Sequence, residues 1–189
     1  MSTLAEKVNL LKSAFPKLIV EHTEFRGQTT LVINSGSDLL KICHFLKHQL
    51  GFEMLLDLTA VDNLETSPRW MLVYHLWNIK ENCMLRLRIS TNEDPPTFPT
   101  VSHIWPASNW LEREVYDMFG IRFQGHPDLR RILMWDEYPW HPMRKDFPLA
   151  GRSWQGSNGL FTEPAPLEGG PFHILPGHHP SEPRAHPQQ

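Results

Sequence analysis

Apolar residues recur at three- and four-residue spacing near the start of the chain. Leu4, Val8, Leu11 and Phe15 form one face of an amphipathic helix. Thr3 and Glu6 frame its start as a capping box, each side chain taking a backbone N–H that the first turn leaves free, and Pro16 closes it. Two extended segments follow, "KLIVEHTEF" and "TTLVINS", with Gly27 as the hairpin turn between them. Ser37 is placed to cap a second helix whose stripe is Leu39, Ile42, Cys43, Leu46 and Leu50, and Gly51 ends it. Three further strands are predicted. "FEMLLDLTAVD" is almost continuously apolar, which suits a central strand. "RWMLVYHLWNIK" follows, then "MLRLRIS", where Leu85, Leu87 and Ile89 alternate with Arg86 and Arg88. A hairpin at Glu81–Asn82 joins the last two. The order α-β-β-α-β-β-β predicts a two-layer α+β domain with a mixed or antiparallel sheet.

The pattern changes after Thr91. "STNEDPPTFPT" reads as a proline-rich surface loop. "NWLEREVYDMFGI", residues 109–121, then reads as a short amphipathic helix. Asn109 would cap it and Glu112 complete the box; Leu111, Val115, Met118 and Phe119 share a face, and Gly120 stops it. Arg113 and Asp117 are one turn apart and can pair along the helix surface. Residues 147–189 hold eight of the seventeen prolines and six of the eleven glycines, which precludes a packed core of their own. They still carry Trp154, Phe161, Phe172 and Ile174, so the segment reads as an arm lying on another protein. The expected division is a domain over residues 1–125 and an extended interface arm over 126–189.

Composition narrows the chemistry. A net charge of −3 gives no reason to expect nucleic acid or anionic lipid as a partner. Two cysteines, Cys43 and Cys83, are too few for an iron–sulfur cluster, which takes about four thiolates, and form no CxxC pair. No run is long enough to read as a membrane span, and the opening residues do not read as a signal peptide. No nucleotide-binding glycine motif or nucleophile elbow occurs. Glu112, Glu114 and Asp117 could serve a metal or an acid/base pair only with help from His126 or His141. Ion pairing on a helix surface is the simpler use of such groups. His173, His178, His179 and His186 could bind metal, but their proline-rich backbone offers no frame to fix the ligand geometry. "GHPDLRRILM" and "HPMRKDFPL" interleave acids, bases and aromatics. That mixture fits a protein interface, where arginine and aromatics are enriched.

At these residues the chain resembles the C-type subunit family of NADH-quinone oxidoreductase, respiratory complex I. "WLEREVYDMFGIRFQGHPDLRRILM" is similar to that family's signature, as are "LLDLTAVD", "VYHLWNIKENCMLRLRI" and "HPMRKDFPL". The likeness covers roughly residues 1–149. It departs at "WDEYPWHP", where the family commonly has a Trp-Glu-Gly-like turn. The resemblance implies a scaffold subunit of a proton-translocating enzyme complex, with no catalytic residue, cofactor or metal of its own. FMN, iron–sulfur clusters and quinone would sit in partner subunits. Its neighbours would be the quinone-site (D-type) subunit and cluster-bearing subunits, with no nucleic acid. The location would be peripheral, on the cytoplasmic face of the bacterial inner membrane. Glu112, Arg113, Glu114, Asp117, His126, Arg130, Arg131, His141, Arg144, Lys145 and Asp146 would be buried or interfacial pairing groups that fix a docking geometry. A related hydrogenase-type complex and a stand-alone metal hydrolase using Glu112, Glu114, Asp117 and His126 are the competing readings.

Overall fold

The structure is a computed structural model, and it describes residues 3–34 and 38–148. Helix α1 (Leu4–Ala14) starts at the expected capping box: the Glu6 N–H donates to Thr3 Oγ1 and the Thr3 N–H to Glu6 Oε2. Strands β1 (Ile19–Phe25) and β2 (Gln28–Ile33) form an antiparallel hairpin. Its turn is left-handed at both Arg26 and Gly27, the twist that tight hairpins need. Helix α2 (Leu39–His48) buries Leu39, Ile42, Cys43 and Leu46. Asp38 is its N-cap residue, and the expected cap Ser37 lies outside the described residues.

Strands β3 (Met54–Asp62), β4 (Trp70–Asn78) and β5 (Cys83–Thr91) complete a five-stranded sheet of order β1-β2-β5-β4-β3. All neighbours run antiparallel except β2 and β5, which are parallel, so the sheet is mixed. The expectation that "FEMLLDLTAVD" is central is corrected: β3 is an edge strand. A register shift between Leu55 and Asp57 turns Leu56 outward, and Met54, Leu56 and Val61 are exposed. The apolar run therefore reflects a bulged edge rather than burial on both faces.

Leu85, Leu87 and Ile89 of β5, with Leu72, Tyr74 and Leu76 of β4, face the helices and form the core with Val8, Leu11, Ile42 and Leu46. Lys7 is buried in this layer. Its Nζ donates to the Leu50 carbonyl at 2.6 Å and pairs with Glu81 at 3.1 Å, tying the first helix to the end of the second and to the β4–β5 hairpin. The loop expected over 90–100 is more ordered than its prolines suggest. Thr97–Pro99 forms β6, which pairs in parallel with β7 (Arg122–Gln124), and Phe98 is fully buried between them and the core. Helix α3 (Ser108–Phe119) lies between these two short strands in sequence and packs on β3. The compact unit continues to Lys145, so residues 126–145 share it with the elements above.

Candidate functional site

Helix α3 carries the charged motif, and its two ends use it differently from the simple helical expectation. Asn109 does not cap the helix, whose N-cap is Ala107 with no side-chain hydrogen bond. Glu112 does not close a capping box either. It is fully buried, and its carboxylate receives the Val101 N–H at 2.8 Å and the Thr100 hydroxyl, anchoring α3 to the chain after β6. Burial pushes its carboxyl up to about 7, against those hydrogen bonds, which favour the charged form. His126 stands beside it, with Nε2 3.9 Å from Glu112 Oε2 and both side chains sealed from solvent. The imidazole Nδ1 accepts the Asp128 N–H at 3.0 Å, leaving Nε2 to donate to the Asn109 carbonyl at 3.1 Å.

Arg113 and Asp117 do not pair with each other. Each reaches instead to the segment 130–134. Arg113 donates to the Arg130 and Arg131 carbonyls at 3.2 and 2.9 Å. The Asp117 carboxylate collects the N–H groups of Ile132, Leu133 and Met134 at 3.0, 2.8 and 2.8 Å, and the Arg131 guanidinium. Burial raises the Asp117 carboxyl, but these four donors outweigh it and hold the group below its ordinary range. Arg131 also donates to the Tyr138 and Trp140 carbonyls, which fixes the loop "WDEYPWHP". Trp135, Tyr138 and Trp140 stack edge to face along it, with centroids 4.6 and 5.5 Å apart.

The C-terminal end of α3 is closed by the same downstream segment. A helix leaves its last four carbonyls without intrahelical partners. Here the Tyr116 carbonyl accepts from Gly120 N–H, Asp117 from His141 Nδ1, Met118 from Met143 N–H and Phe119 from Arg144 Nε. Gly120 makes this possible. Its φ is +75°, and a Cβ there would collide with Arg144 Nη2 and lie 2.6 Å from the His141 ring. Burial lowers the His141 pKa, and Arg144 and Arg131 add to that. Arg144 also sits 5.0 Å from the Trp70 ring centroid, beside Arg69 at 4.3 Å. Arg69 forks onto Asp62, which accepts the Lys145 N–H as well. The hydrogen bonds from Arg69, with help from Lys145, hold Asp62 low.

The remaining signature residues point outward. Glu114 is exposed, Arg130 pairs with the exposed Asp128, and Asp146 is exposed. Trp110 on α3, and Leu133 and Met143 on the chain hydrogen-bonded to that helix, are 60%, 63% and 57% exposed. Charge patterning in the sequence singles out the buried members but misses their partners, which are mostly backbone atoms. Exposure of Trp110 has no separate sequence signal. The metal-hydrolase set is not brought together: Asp117 faces 131–134, Glu114 faces solvent, and only Glu112 and His126 are close. Among the described residues no group of three His, Cys, Asp or Glu side chains could hold a metal ion.

The fold and site thus define an α+β domain whose charged helix is clasped by the chain that follows it. Among its described residues no helix is long and apolar enough to cross a membrane. Residues 32–153 match the family described as the respiratory-chain NADH dehydrogenase 30 kDa subunit. The C-type subunit of NADH-quinone oxidoreductase from Geotalea uraniireducens is 44% identical over 154 residues, covering 80% of this chain and 93% of that protein. A trypsin-resistant fragment of Nqo5 superposes with a TM-score of 0.57 at 28% identity, over 67% of this chain and 98% of the fragment. A chain of the membrane-bound sulfane sulfur reductase, an archaeal respiratory membrane complex, gives 0.64 at 27% identity, over 77% of this chain and 85% of that one. The chain belongs to the 30 kDa subunit family of respiratory-chain NADH dehydrogenase, and is therefore a subunit of an NADH-quinone oxidoreductase, respiratory complex I.

Proposed function

We propose that the chain is a scaffold of the peripheral arm, without a redox or catalytic centre of its own, that docks against the quinone-site (D-type) subunit. NADH is oxidised at FMN in other subunits, and iron–sulfur clusters carry the electrons to quinone while protons are translocated. The observation that carries this reading is the division of the signature. Its buried ionisable groups are committed to internal hydrogen bonds, while Trp110, Leu133 and Met143 stand exposed around α3. An exposed aromatic beside arginine is the composition of an interface hot spot, and Arg113 lies 5.1 Å from the Trp110 ring centroid. Attachment is peripheral, at the cytoplasmic face of the inner membrane, through the complex rather than through this chain's helices.

The test is a photoreactive residue in place of Trp110, in the chain carried within its own complex. Cross-links to the quinone-site subunit support the docking reading. Cross-links confined to this chain contradict it. Purified alone, the chain should carry neither flavin nor iron. A chain of the same fold also occurs in a membrane-bound sulfane sulfur reductase, so a sister respiratory complex is the second reading. The input subunits that co-purify separate the two.

A further inference from the structure

The five-stranded sheet has a second face. The apolar residues of the three described helices join the core on the side of Leu85, Leu87 and Ile89, so Arg86 and Arg88 lie on the other side, in the middle strand of the sheet. The two arginines are not equivalent. Arg86 stands in a row between Thr30 and His75. Its Nε donates to His75 Nε2 at 2.9 Å and its Nη2 to Gln28 Oε1. The other imidazole nitrogen of His75 lies 3.8 Å from the Asp57 carboxylate. Arg86 is therefore oriented and matched within the sheet.

Arg88 stands in the next row on that face, between Val32 and Val73, which offer no side-chain acceptor. Its Nε is buried and has no hydrogen-bond partner among the described residues. Glu21 shares the row but stands two strands away. A guanidinium N–H removed from water without an acceptor is costly, and buried polar groups are otherwise almost always paired. Its surroundings are those of an interface core: apolar Val32 and Val73 beside it, with Met71 and Trp77 half-buried on the neighbouring strand.

We infer that this face of the sheet, on which none of the described helices packs, is a second docking surface, on which Arg88 receives a carboxylate from an acidic segment of another subunit of the complex. This rests on the functional reading above and adds a surface to it. A protein carboxylate suits the face better than a lipid phosphate. Asp57 and Glu21 share the face with the arginines and would repel a uniformly anionic membrane surface, whereas a shaped partner can place one acid on Arg88 and avoid them. The fork of Arg88 matches a carboxylate in two hydrogen bonds, which lysine cannot do.

The experiment compares the full-length tagged chain with Arg88→Met and Arg88→Lys, each recovered from host membranes in mild detergent. The thermal midpoint of each purified chain is measured in parallel. Arg88→Met should recover about tenfold less complex or worse, as expected for the loss of one charge-assisted interfacial pair, with no fall in its own midpoint. Arg88→Lys should recover an intermediate amount. A photoreactive residue at Ser90, on the same face, should cross-link to an acidic peptide of another subunit. Wild-type recovery by Arg88→Met overturns the inference alone. So does a loss of complex that merely follows a lowered midpoint, or a Ser90 cross-link to lipid or to residues 149–189 of this chain. A wild-type chain that recovers no other subunit overturns both this inference and the functional reading.

Discussion

Asp117 and Arg131 hold each other across the turn that follows α3, the guanidinium donating to Asp117 Oδ1 while the other carboxylate oxygen gathers three successive backbone N–H groups. Their side chains are 0% and 10% exposed, so the pair is screened little by water. Removing one partner of such a pair leaves the other buried and uncompensated. Asp117→Asn and Arg131→Met should each destabilise the isolated chain by about 3–5 kcal/mol. Urea titration followed by tryptophan fluorescence measures this. Arg130→Ala, which removes an exposed pair with Asp128, should leave the midpoint unchanged. Equal losses at 130 and 131 would refute the assignment.

Gly120 combines a left-handed backbone with a site that a methyl group would fill. For an alanine the conformation alone costs about 1–2 kcal/mol. Arg144 and His141 would also be displaced from the helix carbonyls they satisfy. Gly120→Ala should therefore destabilise by more than the conformational term, about 2 kcal/mol or above in the same titration. A double variant with Arg144→Ala should lose less than the sum of the single changes, because both act on one contact.

Glu112 makes stability depend on pH in a direction opposite to the aspartates. Its carboxyl is raised from 4.5 to about 7 in the folded chain, so the folded state holds a proton that the unfolded state releases. Its contribution is complete below 4.5 and is lost as the pH rises through about 7. At about 1.4 kcal/mol per pH unit this amounts to roughly 3 kcal/mol. Glu112→Gln, neutral at every pH, should abolish that decline and be the more stable protein at pH 8. Asp117 and Asp62 are held below 3.8, so their contribution is present above that value and falls away in stronger acid. That acid limb should persist in the variant. Urea midpoints across the range, for both proteins, decide it.

Trp110 separates stability from assembly. It is 60% exposed, and Trp110→Ala should change the stability of the isolated chain by no more than about 0.5 kcal/mol. The same variant should lower the amount of complex on native gels, as should Glu114→Ala. Intact, fully active complex in both variants would contradict a docking role for this side of α3.

Much of the domain was legible because its signals are local. The box at Thr3 and Glu6, the turn at Gly27, the alternation through Leu85, Leu87 and Ile89, and the stop at Gly120 are each set by neighbours within a few residues. The position of β3 was not. An edge strand whose bulge turns Leu56 outward has the same apolar run as a central one, and only pairing distinguishes them. The short β6–β7 pair was hidden among prolines for the same reason. In the site, the motif marks the charged residues of α3, but helical spacing assigns Arg113 and Asp117 to each other. Their observed partners are mostly backbone atoms of residues 130–134, a loop whose path depends on the whole clasp. Burial of Glu112 likewise needed Val101 and Thr100, which no spacing rule connects to it.

We propose that this chain works only as part of a larger redox assembly. The most direct measurement is affinity purification of the tagged chain from its own host membranes in mild detergent, with the accompanying proteins identified and quantified by mass spectrometry. The expected result is a stoichiometric set that includes the quinone-site subunit, a flavin-bearing subunit and cluster-bearing subunits, with NADH:quinone activity in the purified fraction. A stable monomer recovered without companions, from membranes in which the rest of the complex is intact and active, would contradict it.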